Sequence, residues 1–125
     1  MAELSGLYEL SFEVRPKYLY AELRARSISE EIIRGYVAEL VAKSRESGRD
    51  LILLYRDIPA IMAAHQMFST VSESLDALRG KKLALVNPHA SIDDDLEFGL
   101  TVGQNRGGNY RRFTNIPDAE AWLLA

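Results

Sequence analysis

The chain has 125 residues, 47% of them hydrophobic and 26% charged, with a formal net charge of −3 and no cysteine. That length and balance fit a single globular domain, 1–125, and exclude a disordered or fibrous chain. The acidic balance argues against nucleic acid or an anionic membrane surface as the main partner. The lack of cysteine removes disulfides, thiol nucleophiles and thiolate metal sites and fits a cytoplasmic setting. The opening "MAELSGLYEL" lacks a basic region followed by an apolar run, and no stretch approaches the ~20 apolar residues that span a bilayer.

Taken in chain order, Leu7 to Val14 alternates, with Tyr8, Leu10, Phe12 and Val14 on one side. Tyr18 to Arg24 repeats the pattern, with Leu19, Ala21 and Leu23 inward and Tyr18 and Tyr20 facing away. Only Arg15-Pro16-Lys17 joins the two runs, so an antiparallel hairpin is expected. The period then turns helical: Ile32, Ile33, Tyr36, Val37, Leu40 and Val41 form one stripe, with Ser27 and Glu30 as a capping box and Gly48 as the stop. Leu51 to Tyr55 and Leu83 to Val86 are continuous apolar runs, as in strands covered on both faces. Between them Ile61, Ala64, Phe68, Val71, Leu75 and Leu78 mark a helix of about five turns ending at Gly80.

A third helix is expected from "SIDDDLEF", capped by Ser91 with Asp93 to Asp95 in its first turn, and ending by Gly107-Gly108. Tyr110 to Thr114 reads as a short strand. In "NIPDAEAWLLA", Asn115 is the cap, Pro117 fits the first turn, and Trp122 and Leu123 face the core. The order ββαβαβαβα defines an α/β domain with a mixed, mostly parallel five-stranded sheet, right-handed crossovers and four helices. If the strand order advances in one direction, the helices fall mainly on one face. The other face of "LILLY" and "LALV" then needs cover from a second copy of the chain, a rearranged helix or a bound apolar ligand.

The opening hairpin, "LILLYRD" ending in Asp57, "KKLALV" and the closing "YRRFTNIPDAEAWLLA" together resemble the SpoIIAA-like group, the small α/β fold shared with STAS domains, over essentially the whole chain. The last segment is the most specific, being similar to the C-terminal signature of SpoIIAA-like bacterial proteins of unassigned function. The resemblance implies a non-catalytic binding or regulatory module acting through protein contacts, with a second copy of itself among the partners. Related lipid-transfer folds make a carrier of a small apolar or lipid-like ligand the alternative, with Met62, Met67, Phe68 and Phe98 able to adapt around it. STAS regulators resemble one another in a phosphorylatable Ser or Thr directly after the Asp that ends the central strand, where a helix N-terminus suits a phosphate. Here Asp57 is followed by Ile58, Pro59 and Ala60, none of which bears a hydroxyl, so the usual phospho-switch is not expected.

Candidate chemistry is sparse. His65 and Ser69 stand four apart on one helix without an orienting third group or oxyanion donors. His89 with Asp93, Asp94 and Asp95 has the look of a metal cluster, but consecutive helical residues diverge, and helix-end electrostatics explains the acids without an ion. "GLTVGQNRGGNYRRF" matches no phosphate-binding glycine motif, and Arg106, Arg111 and Arg112 are left as a candidate anion patch. Arg56, Asp57, Ile58 and Pro59 form the candidate ligand or partner loop, because ligands of open α/β sheets bind at the carboxyl ends of the strands. No catalytic residue, cofactor or metal ligand is assigned, and an enzyme, with no reaction that can be named, ranks third after the two binding readings.

Overall fold

A computed structural model describes residues 7–61, 70, 73, 74, 76–105 and 107–125. The hairpin is β1 (Glu9–Val14) and β2 (Leu19–Arg24), followed by α1 (Glu30–Ser47), β3 (Leu51–Asp57) and β4 (Lys82–Val86). A 3-10 turn (Ala90–Ile92) leads into α2 (Asp93–Asn105), then β5 (Asn109–Phe113) and α3 (Ile116–Leu124). The five strands lie in the order β1-β2-β3-β4-β5, with β1 antiparallel to β2 and the remaining pairs parallel. The α/β class and the mixed five-stranded sheet are as the sequence leads one to expect. Three α-helices are counted among the described residues rather than four. The helix expected between Ile61 and Gly80 lies largely outside them, although Thr70, Glu73, Ser74, Asp76 and Ala77 are helical.

Local chemistry sets the boundaries. Helix α1 is capped by Ser29, not by the Ser27–Glu30 box: the helix begins at Glu30 itself, so Ser29 is the last extended residue, and its hydroxyl accepts from the Ile32 N–H at 3.2 Å. Gly48 closes the helix at φ 70°, in the left-handed region that favours glycine. Ser91 lies inside the 3-10 turn and so does not cap α2. Asn115 does cap α3, accepting from the Asp118 N–H at 2.9 Å.

The period of two along β3 divides the core. Ile52 and Leu54 join Leu19, Ala21, Leu23, Leu83 and Leu85 under α1 and α2, with Ile32, Tyr36, Leu40 and Leu96 packed on them. Leu53 joins Ala84 and Val86 on the opposite face, beneath Ala119 and Leu123 of α3. Of the three sources of cover expected for that face, a helix supplies it. The handedness rule places α1 and α2, which each connect two of the paired parallel strands; α3 follows β5 and connects no two described strands, so that rule does not place it. Tyr18 and Tyr20, expected to face away from the core, are buried in this second layer, and the Tyr18 hydroxyl donates to Glu120 Oε2 at 2.6 Å. Lys82 completes the attachment: its Nζ donates to the Trp122 and Leu123 carbonyls at 2.8 and 3.2 Å and lies 4.5 Å from the Trp122 ring centroid. A cation at a helix C-terminus also meets the negative end of the macrodipole.

Two tests follow from this layering. Leu123, 1% exposed, should be costly to truncate: Leu123→Ala is expected to lower the urea-unfolding free energy by about 3 kcal/mol. Leu124→Ala, at 41% exposure, should change it by less than about 0.5 kcal/mol; equal effects would mean that α3 does not seat as described. Burial, with the hydrogen bond to Glu22 in the case of Tyr20, pushes Tyr20 and Tyr110 up to about 12. An unfolded tyrosine titrates near 10. The stability these groups give is therefore complete below about pH 10 and lost as pH rises towards about 12, where only the unfolded chain has released the proton. Tyrosinate absorbance should rise together with loss of helical circular dichroism in that window; ionisation of all tyrosines near pH 10 with the fold intact would contradict the burial.

Candidate functional site

The parallel strands end along one edge, and Arg24 of β2 stands opposite Asp57 of β3 there. Asp57 Oδ2 accepts from an Arg24 guanidinium nitrogen at 3.0 Å, and Oδ1 lies 2.7 Å from His89 Nε2. His89 follows β4 by Asn87 and Pro88, and Asn87 clamps it. The Asn87 Oδ1 accepts from the His89 N–H at 3.0 Å, while Nδ2 donates to the His89 carbonyl and to Asp93 Oδ1, both at 2.8 Å. Asn87 is 3% exposed, so these bonds satisfy an amide that would otherwise be buried unpaired.

Asp93 therefore belongs to a structural network rather than to a cluster with His89. Its second oxygen accepts from Arg112 at 3.0 Å, and the Arg112 Nε donates to Glu97 at 3.0 Å. Asp94 and Asp95 are exposed. Among the described residues no group of three or more His, Asp or Glu side chains could hold a metal ion. Of the candidate anion patch, Arg111 and Arg112 are consecutive in β5 and open onto opposite faces, Arg111 lying 5.6 Å from the Phe113 ring centroid. Arg106 lies outside the described residues, as do His65, Ser69, Met62, Met67 and Phe68, while Phe98 is exposed on α2.

The loop Arg56-Asp57-Ile58-Pro59 is likewise split by strand geometry. Asp57 is half-buried at the polar edge, Ile58 is fully buried in the core, Pro59 is exposed, and Arg56 turns under α1. Arg56 is 3% exposed; its two terminal nitrogens donate to the Ile58 carbonyl at 3.1 Å and the Ala60 carbonyl at 2.9 Å, and the Tyr36 hydroxyl lies beside it. Burial pulls the Arg56 pKa below the usual guanidinium range, and burial raises that of Tyr36. Arg56 opens into a cavity of about 130 Å³ between α1, α2 and the sheet, walled mainly by hydrocarbon, including Leu40, Leu54, Ile61, Leu96 and Leu100. Tyr36, Asn87 and Arg24 are the site residues that sequence reasoning missed. Arg56 carried a readable signal, standing two and four residues beyond the inward Leu54 and Ile52.

The Asp57–His89 pair can orient an imidazole, and among the described residues no side-chain hydroxyl is bonded to His89. The cavity can enclose a small molecule. The molecule is thus an α/β protein with a mixed five-stranded sheet, a polar carboxyl edge and a cavity on the face that carries α1 and α2. No family model matches the chain, and none of the curated proteins searched is similar to it.

The polar edge makes one energetic prediction. Asn87→Ala should lower stability by about 2 kcal/mol, because it strips several buried hydrogen bonds at once. Asp57→Asn, at a half-exposed site, should cost less than about 1 kcal/mol. Thermal or urea unfolding of the two variants decides it; the reverse ranking would show that His89 is held by Asp57 rather than by Asn87.

Proposed function

We propose that the protein is a non-catalytic binding module of the STAS-like type, which takes up a small, mainly apolar molecule in the cavity between α1, α2 and the sheet. The observation that carries this reading is the cavity itself: its hydrocarbon walls meet the carboxyl-terminal half of β3, the side of an open α/β sheet on which ligands bind. The resemblance of the hairpin, "LILLYRD" and the closing helix to SpoIIAA-like sequences supports the same class of module. A regulatory role through a second copy of the chain drew its support from a sheet face left open, and α3 covers Leu53, Ala84 and Val86 on that face. A phospho-switch is disfavoured further, since the residue after Asp57 is the fully buried Ile58.

Native mass spectrometry of the purified protein, beside a denatured aliquot, tests the proposal. The expected result is a small organic mass excess present only in the native spectrum and recovered by organic extraction. In addition, Leu100→Trp, which places a ring in the cavity, should remove that excess while leaving the circular dichroism unchanged. A bare chain in both spectra, together with no thermal shift from small aromatic or branched aliphatic compounds, would sink the reading.

A further inference from the structure

Among the described residues Arg56 is a buried cation without an acidic partner. It is 3% exposed, and no Asp or Glu among the described residues forms an ion pair with it. Of the residues that are not described, 62–69, 71, 72, 75 and 106 include no Asp or Glu, and 1–6 include one, Glu3. Asp57, its chain neighbour, points to the other side of the sheet and is held by Arg24 and His89. A guanidinium carries five N–H donors, and among the described residues its partners are the Ile58 and Ala60 carbonyls and the Tyr36 hydroxyl, all neutral. An uncompensated buried charge is strongly unfavourable.

From this we infer that the cavity is built for a small organic carboxylate, whose apolar body lies among Leu40, Leu54, Leu96 and Leu100 and whose carboxylate meets Arg56. The inference deepens the reading of the cavity as a ligand site and rests on it. A planar carboxylate matches the guanidinium fork and supplies the absent counter-charge. Tyr36, Thr70 and Ser74 add polar groups to the same wall. Volume limits the body: the cavity of about 130 Å³ is close to the ~150 Å³ apolar cavity that accepts benzene. One ring or a short branched chain fits, and a long acyl chain would not be enclosed.

The test is calorimetric titration of the full chain with benzoate, benzyl alcohol and toluene, which share a body and differ in the head. Benzoate should bind about tenfold to a hundredfold tighter than benzyl alcohol, as expected for hydrogen bonds between charged groups. Arg56→Met should abolish that preference and leave toluene binding unchanged, with a melting curve to establish that the variant folds. Movement of the Arg56 Nε–H resonance on adding benzoate to the unsubstituted protein gives the same readout without a substitution. Equal binding of benzoate and toluene overturns the carboxylate and leaves the apolar site standing. A benzoate preference that survives Arg56→Met and does not move that resonance places the anion elsewhere and overturns the proposal. Binding of none of the three overturns both the carboxylate and the ligand site.

Discussion

Strand β3 lies between two parallel neighbours, with Ile52 and Leu54 against one helical layer and Leu53 against the other, and each of these three side chains is at most 1% exposed. Fully burying an aliphatic side chain of this size contributes about 1.5–3 kcal/mol, and the strand can collect that on both faces only if helices lie above and below it. The placement of α3, the tie between Lys82 and its last carbonyls, and the enclosure of Tyr18 all answer to that need. The same alternation dictates what happens where β3 ends. Two consecutive charged residues, Arg56 and Asp57, are sent to opposite environments, one into hydrocarbon and one to a solvated edge.

The separation has chemical consequences. At the edge, Asp57 gathers a guanidinium and an imidazole that remain partly hydrated, so the cluster contributes little to stability and much to the placement of His89. On the inner side, Arg56 has lost its water and gained carbonyls and a phenol, so its charge is poorly compensated by the described residues. The loop at the end of a central strand therefore presents two chemical environments on opposite sides of the sheet.

Much of the fold was legible where period and burial coincide. The alternating hairpin, the α1 stripe from Ile32 to Leu40, and the doubly covered runs of β3 and β4 all follow from spacing alone. The cover supplied by α3 was not, because its side of the sheet is decided by packing after the last strand and by no local pattern. Caps were ambiguous because Ser27 and Ser29 both suit the start of α1, and only the observed helix start chooses between them. At the site, the inward direction of Arg56 was present in its spacing from Ile52 and Leu54. The capture of His89 by Asp57, of Asp93 by Arg112 and of both by Asn87 depends on residues brought close by tertiary structure, so local sequence carries no sign of it.

The linear strand order leaves β1 and β5 as the two borders of the sheet. Each border is dressed with polar side chains: Glu9, Ser11 and Glu13 are exposed along β1, and Asn109 and Arg111 along β5. A strand from another chain that tried to pair with either border would have to strip water from those groups before gaining backbone hydrogen bonds. Polar side chains of this kind disfavour pairing of either described border with a strand of another chain.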